Sequence, residues 1–154
     1  MSRLVTIYGG SGFVGRYITQ RMARAGWRVR VAVRRPNEAL FVKPYGAVGQ
    51  VEPVFCNIRD DASVAAVMQG ADAVINCVGI LFETGGRKFQ TLHVEGATNV
   101  AEAARAAGVK RLTHISALGA DAKGKADYAR TKGEAEAAAR AAFPGAVIVR
   151  PSIV

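Results

Sequence analysis

The sequence is poor in aromatic residues and cysteine, and it lacks long hydrophobic runs. Aromatic side chains make up 7% of its 154 residues, and Cys56 and Cys77 are the only cysteines. Because both cysteines lie inside apolar, strand-like runs, a disulfide scaffold is not expected. No stretch approaches the roughly 18 uninterrupted apolar residues of a membrane span, which excludes one. The hydrophobic fraction of 50% also excludes intrinsic disorder, so the length fits one compact domain or a fragment of a larger one.

Positive charge is in excess over negative charge. Lys and Arg number 21 against 12 Asp and Glu, which gives a formal net charge of +9 at pH 7. Such an excess favours an anionic partner, such as nucleic acid, an anionic membrane or a phosphorylated ligand, although a solvated basic surface explains it equally well. No aromatic–basic interleaving or helix-turn-helix spacing is present, so we do not expect nucleic-acid binding. His93 and His114 have no neighbours at metal-ligand spacing, so no metal site is expected.

Short β-branched runs alternate with longer helical segments along the chain. This alternation predicts an α/β fold with a parallel sheet buried on both faces, a Rossmann-type doubly wound sheet of order 3-2-1-4-5-6. Pro53 lies within the third predicted strand, which favours an edge position for that strand or a later start. Strands are predicted over 4–8, 28–33, 51–55, 73–78, 111–116 and 146–150, and helices over 13–25, 63–69, 89–107 and 126–142.

A glycine-rich turn follows the first predicted strand and precedes the first helix. Gly9, Gly12 and Gly15 have the spacing G-x-x-G-x-x-G. The first glycine allows the tight turn, the second lets a pyrophosphate approach the backbone, and the third lets the helix pack closely on the strand. The N-terminus of the helix offers free N–H groups to the anion. In this context the glycines predict a dinucleotide site, and a glycine turn without a ligand is the alternative.

The end of the second predicted strand indicates which dinucleotide is bound. Proteins that bind NAD usually carry an acidic residue there, but this sequence has Arg34 and Arg35 and no acid before Glu38. A guanidinium suits a 2′-phosphate and cannot accept a hydrogen bond from a 2′-hydroxyl. Arg16, directly after the glycine turn, could reach the same phosphate. The sequence therefore favours NADP(H) over NAD(H), and the alternative is that these arginines are solvated surface.

Ser116, Tyr128 and Lys132 form a candidate catalytic group. Tyr128 and Lys132 are four residues apart on a predicted helix and therefore share one face. A cation near a phenol lowers its pKa and makes it a usable proton donor or acceptor. Ser116 ends the fifth predicted strand, at the edge where open α/β sheets bind ligands. The Tyr-x-x-x-Lys spacing alone is weak evidence, since many helices contain it by chance.

These motifs occur together in the order found in a known superfamily. After the glycine turn come Asn-Cys-Val-Gly at 76–79, Ser116, Tyr-x-x-x-Lys at 128–132 and Arg-Pro-Ser at 150–152. Over essentially its whole length the sequence resembles the short-chain dehydrogenase/reductase superfamily, above all its extended and atypical members of the NAD-dependent epimerase/dehydratase type. Residues 114–120 and 128–134 resemble the subgroup that includes the nucleotide-binding accessory subunit of respiratory complex I and its bacterial relatives.

The resemblance implies a role for each motif. Tyr128 would be the catalytic acid/base, Lys132 would bind the nicotinamide ribose and tune Tyr128, and Ser116 would orient the substrate. His93 stands where many extended members have Asn. The residues expected to contact the cofactor are Gly9, Ser11, Gly12, Phe13, Val14, Gly15, Arg16, Arg34, Arg35, Asn57, Ile58, Val78, Gly79, Lys132 and Pro151.

The resemblance leaves two functions open. One is an NADP(H)-dependent oxidoreductase or epimerase/dehydratase, in which the Ser-Tyr-Lys group assists hydride and proton transfer. The other is a non-catalytic NADPH-binding accessory or assembly subunit of a complex I-type NADH dehydrogenase, so that the partners would be respiratory subunits or a second copy of the chain. We expect residues 1–154 to form the dinucleotide-binding domain of a longer chain. No targeting segment is visible, so we expect the protein in the cytoplasm or at the inner face of the membrane.

Overall fold

The computed structural model describes residues 2–154 and contains a six-stranded sheet in which all neighbouring strands are parallel. Met1, the first residue of the predicted domain, lies outside the described residues. The strand order is β3-β2-β1-β4-β5-β6, which confirms the predicted Rossmann-type order. The strands are β1 (Leu4–Tyr8), β2 (Arg28–Val33), β3 (Val51–Phe55), β4 (Ala73–Asn76), β5 (Arg111–Ile115) and β6 (Val147–Val149).

The predicted β4 is too long by two residues, and the structure shows why. The strand ends at Asn76, whose side-chain oxygen accepts the N–H of Val78 at 3.0 Å and turns the chain. Pro53 pairs with Val31 on β3, and β3 lies at the edge of the sheet, as the proline predicts.

Four α-helices cover the sheet, close to their predicted positions. They are α1 (Phe13–Arg24), α2 (Asp61–Ala66), α3 (Gly96–Ala106) and α4 (Asp127–Ala142). The predicted start of α2 at residue 63 is wrong by two residues, because the Asp60 carboxylate already accepts the N–H groups of Ala62 and Ser63 and caps the helix there.

Two irregular helical segments differ from the prediction. A 3-10 helix, Pro36–Tyr45, fills the connection between β2 and β3 and buries Ala39 and Val42, which are three residues apart. The predicted helix 89–107 begins instead with a π-helical segment, Gln90–Glu95, which runs into α3. This segment buries Leu92 and His93.

The core consists of two apolar clusters. In one of them Val5 and Ile7 of β1 pack with Ala23 of α1 and Val42 of the 3-10 helix. In the other, Tyr8 packs with residues of α2, α3 and β5 such as Val64, Val100 and Leu112. Since successive strand residues point to opposite faces, β1 contributes to both clusters.

The hydroxyl groups of β1 also hold α2 in place. Thr6 Oγ1 donates to the carbonyl of Val67 at 2.9 Å, and the Tyr8 hydroxyl donates to that of Val64 at 2.7 Å. Both donors are buried, so these bonds satisfy polar groups that water does not reach. The order of the strands reverses between β1 and β4, and their carboxyl ends form the crevice in which such sheets bind ligands.

Candidate functional site

A cavity of about 400 Å³ lies at the carboxyl edge of the sheet, next to the ends of β1 and β4. Of the residues predicted to contact a cofactor, eight line it: Gly9, Ser11, Gly12, Arg34, Arg35, Ile58, Val78 and Gly79. The other predicted cofactor residues, Phe13, Val14, Gly15, Arg16, Asn57, Lys132 and Pro151, are not among the lining residues. Of these, Gly15 and Arg16 contact the glycine turn that lines the cavity.

The glycine turn needs its glycines for two different reasons. Gly9 has a φ of +73°, a conformation that side chains other than glycine rarely adopt. A Cβ on Gly15 would collide with the carbonyl oxygen of Gly9, so α1 packs directly on the turn. Thr19 of α1 adds a buried hydrogen bond of 2.9 Å from its hydroxyl to the carbonyl of Gly10. Sequence reasoning did not identify Thr19, because its partner is a backbone atom.

The N-terminus of α1 is arranged to receive an anion. Its first residue follows Gly12, no side chain in the described part of the chain caps it, and its first turn holds no acidic residue. The first N–H groups of a helix have no partner within the helix, and the helix dipole favours negative charge beside them. The Phe13 ring is exposed and packs edge-on against Tyr17, with 5.9 Å between centroids. The backbone of this turn, rather than its side chains, can therefore hold a pyrophosphate.

Arginines dominate one end of the cavity. Arg34 and Arg35 line it, and so does Arg87, which sequence reasoning missed. Burial lowers the pKa of Arg34, and the positive charges of Arg87, Arg35 and Arg59 lower it further, while Glu38 opposes them. Arg35 and Glu38 form an exposed ion pair of 3.2 Å. Because positive charge is only partly balanced here, this end of the cavity favours an anion.

Arg16 lies elsewhere. Its guanidinium donates hydrogen bonds of 3.2 Å to the carbonyls of Gly12 and Ser11 and sits 4.9 Å from the centre of the Phe41 ring. In this position Arg16 supports the glycine turn and the 3-10 helix rather than lining the cavity.

The loop after β3 places one of its two predicted residues in the cavity. Ile58 lines it and is buried. Asn57 instead shapes the turn, because its side-chain oxygen accepts the N–H of Arg59 at 3.1 Å and its own N–H donates to Ser63 Oγ at 2.9 Å. An aspartate side chain at position 57 could accept the N–H of Arg59 in the same way. The hydrogen bond therefore explains a structural role for this position and does not indicate contact with an adenine base.

Lys132 reaches from α4 toward the opposite end of the cavity. It is 5% exposed, and a Cβ on Gly79 would lie 3.4 Å from its Nζ atom. Within residues 2–154, the only hydrogen bond of the Lys132 side chain is a long one of 3.4 Å from Nζ to the carbonyl of Ile115. Burial lowers the pKa of Lys132, and the carboxylate of Glu136 and the Cys77 thiol oppose that shift. Lys132 therefore has hydrogen-bonding capacity to spare beside Gly79.

Ser116 and Tyr128 accompany Lys132 at this edge of the sheet. Ser116 directly follows β5 and is buried, and its hydroxyl, which makes no hydrogen bond of 3.5 Å or less within residues 2–154, lies close enough to the Glu136 carboxylate to help lower the pKa of that carboxyl. Tyr128 lies in the first turn of α4, half-buried, with its ring edge-on to the rings of Phe89 and His93 at 5.8 and 5.5 Å.

His93 connects the loop after β4 to α4. Its Nε2 accepts the N–H of Ile80 at 3.1 Å, so Nδ1 carries the proton and donates to Thr131 Oγ1 at 3.0 Å. Thr131 in turn donates to the carbonyl of Asp127 at 2.8 Å. Burial lowers the pKa of His93 to about 4, helped by the charge of Lys132, and keeps it neutral at pH 7. We interpret His93 as a positioning residue, a role that its isolated place in the sequence did not indicate.

His114 is a buried histidine of β5. It is 3% exposed, and its Nδ1 atom lies 3.5 Å from the side-chain nitrogen of Asn76. Burial lowers its pKa to about 4, again with a contribution from Lys132.

The Arg-Pro-Ser segment after β6 is tied to α4 and to the loop after β5. Arg150 forms a two-pronged ion pair with the buried Glu136, with distances of 2.8 and 2.6 Å. Burial raises the pKa of Glu136, but Arg150, the Ser116 hydroxyl and the charge of Arg140 together outweigh it and hold that pKa below its usual value. The carbonyl of Pro151 accepts the N–H of Leu118 at 2.8 Å. Pro151 thus lies beside the loop that follows Ser116.

Comparison with known proteins agrees with this geometry. A family model described as NAD(P)H-binding matches residues 9–154. The 40 kDa subunit of mitochondrial NADH-ubiquinone oxidoreductase of Neurospora crassa is 33% identical over 147 residues, which are 96% of this chain and 39% of that protein. A ceramide reductase of Caulobacter vibrioides is 36% identical over 151 residues, which are 98% of this chain and 46% of that protein. The chain therefore spans less than half the length of these two relatives.

A solved structure shares the fold. A Bacillus halodurans protein of the NAD-dependent epimerase/dehydratase type superposes with a TM-score of 0.83 at 24% identity, covering 98% of this chain and 71% of that one. Within residues 2–154, no helix is long and apolar enough to cross a membrane.

Proposed function

We infer that this chain, which belongs to the NAD(P)H-binding family and to the extended type of short-chain dehydrogenases/reductases, binds NADP(H) in its cleft and acts as an oxidoreductase or an epimerase/dehydratase. One observation carries the proposal. A single crevice combines an uncapped helix N-terminus behind a glycine turn, a cluster of arginines at one end and a buried lysine beside Gly79 at the other.

The arginine end supports NADP(H) rather than NAD(H). No carboxylate stands at the end of β2 to accept a hydrogen bond from a ribose 2′-hydroxyl, and Glu38 is paired with Arg35. Guanidinium groups bind phosphate through several charge-assisted hydrogen bonds. Arg34 and Arg35 would therefore bind the 2′-phosphate, and the backbone of residues 9–15 would bind the pyrophosphate.

The other end supports proton transfer. When bound there, the nicotinamide would supply or accept the hydride. Lys132 would donate hydrogen bonds to the adjoining ribose, and its charge would stabilise negative charge that develops on Tyr128. The hydroxyl of Ser116 would donate a hydrogen bond to a substrate oxygen and orient it. Tyr128 would exchange the proton with that oxygen.

Calorimetry tests the cofactor proposal, and we expect NADPH to bind at least about tenfold more tightly than NADH, a difference of 1.4 kcal/mol. Turnover with a panel of alcohols and carbonyl compounds tests the chemistry. Replacing Tyr128 with Phe should remove turnover, because a general acid/base contributes about 10²–10⁴-fold, while the affinity for NADPH stays unchanged. Unchanged turnover in Tyr128→Phe would reject the mechanism.

A second candidate is a non-catalytic NADPH-binding subunit of a larger respiratory assembly at the inner face of a membrane. The 33% identity to the Neurospora subunit over 96% of the chain favours it. Native protein purified from its source would then carry NADPH, show no turnover and copurify with other respiratory subunits. Turnover by protein that is free of such partners would argue for the enzyme instead.

A further inference from the structure

A short hairpin lies next to the arginine end of the cavity. Thr84 and Arg87 exchange two backbone hydrogen bonds, of 3.2 and 2.8 Å, around a two-residue turn of Gly85 and Gly86. Gly85 has a φ of +54°, as such tight turns require. The base of the hairpin is closed by Glu83, which pairs with Lys88 at 3.4 Å and accepts the N–H of Phe89 at 3.1 Å. The position of Arg87 is therefore set by a built turn.

Two loops that are distant in sequence bring further arginines to this place. Arg87 lines the same cavity as Arg34 and Arg35. A Cβ on Gly86 would lie 3.7 Å from Nη1 of Arg59, which belongs to the loop between β3 and α2. The hairpin thus lies against the loop that carries Arg59.

The charges around this place do not cancel. Arg34, Arg35 and Arg87 line this end of the cavity together with Glu38, and Arg59 lies beside the hairpin. Glu38 pairs with Arg35, and Glu83 pairs with Lys88. Within residues 2–154, neither Arg59 nor Arg87 forms an ion pair of 4.0 Å or less. Clustered guanidinium groups repel one another, so a bound dianion would stabilise this arrangement.

We propose that Arg87 and Arg59 complete the 2′-phosphate site, so that the 83–88 hairpin is held over the cavity firmly by NADP(H) and less firmly by NAD(H). This inference rests on the proposed function, and it adds two specificity-determining residues and a closing element to it. With the phosphate in place, Arg87 and Arg59 donate to oxygens that Arg34 and Arg35 leave free. Without the phosphate, no anion offsets the repulsion between these like charges, and the hairpin is held less firmly.

Calorimetry on the whole chain tests the two arginines. The variants are Arg87→Gln and Arg59→Gln, and the control is Lys110→Gln, which removes an exposed positive charge directly before β5, at the opposite edge of the sheet. We expect each arginine variant to weaken NADPH about tenfold, the size of one lost charge-assisted hydrogen bond, and to change NADH less than about twofold. Lys110→Gln should change the affinity for neither cofactor by more than about twofold.

A second measurement follows the hairpin itself. Amide hydrogen exchange at residues 83–88 should slow when 2′,5′-ADP is added and should not change with 5′-ADP. The proposal for Arg87 and the hairpin would be overturned by any of three results. These are an equal loss of NADPH and NADH affinity in Arg87→Gln, no loss of affinity for either, and equal protection of residues 83–88 by both nucleotides. These outcomes leave NADPH binding by the unchanged protein intact, whereas failure of that protein to bind either dinucleotide would overturn the proposed function as well.

Discussion

At the scale of single residues, the two histidines show how burial sets a protonation state. Both are almost fully buried, and burial together with the charge of Lys132 lowers the pKa of each to about 4. In the unfolded chain the pKa of each histidine returns to about 6.5. The neutral ring of His93 is also the form that its two hydrogen bonds require.

A pH dependence of stability follows from these values. Between about pH 6.5 and pH 4 the unfolded chain binds more protons than the folded one, so the free energy of unfolding falls as the pH is lowered. Each histidine contributes on the order of 3 kcal/mol to this loss. Urea denaturation at several pH values should show it, and His93→Asn should show a shallower slope. Because the carboxylates are the same in both proteins, an identical slope would contradict the lowered pKa of His93.

The residue scale is also where sequence reasoning was most informative about the cleft. Gly9, Gly15 and the arginines at 34 and 35 belong to local motifs whose physical demands are readable from their neighbours along the chain. Arg59, Arg87 and Thr19 could not be found in this way, since their partners come from other loops or from the backbone. Their roles depend on which segments meet in three dimensions.

At the scale of elements, α4 is the helix that carries the candidate chemistry, and a buried carboxylate attaches it to the sheet. Glu136 is 2% exposed and receives both prongs of Arg150. The attachment lies one turn along the helix from Lys132. It therefore fixes the height and rotation of the helix face that holds Lys132 and Tyr128.

Replacing Glu136 with Gln tests this attachment. The change removes the negative charge and one of the two hydrogen bonds from Arg150 in a buried place, so we expect a loss of about 1–2 kcal/mol in the free energy of unfolding. Glu134→Gln is the control, because Glu134 pairs with Arg130 at 4.0 Å on a partly exposed face and should cost less than about 0.5 kcal/mol.

The pH dependence of this variant has a defined sign. The folded protein holds the pKa of Glu136 below its usual value, so the stabilisation is present above about pH 4.3 and is lost as the pH falls. The difference between the variant and the unchanged protein should therefore shrink in acid. Equal losses for Glu136→Gln and Glu134→Gln at pH 7 would show that α4 is held in another way.

Sequence patterns predicted the regular elements better than the irregular ones. Parallel strands buried on both faces appear as apolar runs, and glycines mark the ends of helices, so both are local signals. The 3-10 helix contains two prolines and buries Ala39 and Val42. No regular spacing of apolar residues in this segment predicts it from the sequence. Likewise, the end of β4 depends on one side-chain hydrogen bond of Asn76.

At the scale of the whole molecule, the net charge of +9 and the cleft make different predictions about partners. A ligand that binds only the folded state stabilises it by mass action, by about 2.7 kcal/mol at one hundred times its dissociation constant. We expect NADPH at that excess to raise the midpoint of thermal unfolding. Duplex DNA at physiological salt is the control, and a comparable rise with DNA would indicate that the basic surface, not the cleft, selects the partner.

The first strand has a double use. It leads into the glycine turn, and its hydroxyls at Thr6 and Tyr8 hold α2, a helix of only six residues. So short a helix has little stability of its own in water. During synthesis on the ribosome, the strand emerges some fifty residues before the helix that it anchors. The connection from β3 at the edge of the sheet to β4 in its middle, which contains α2, is therefore synthesised after the strand that anchors it.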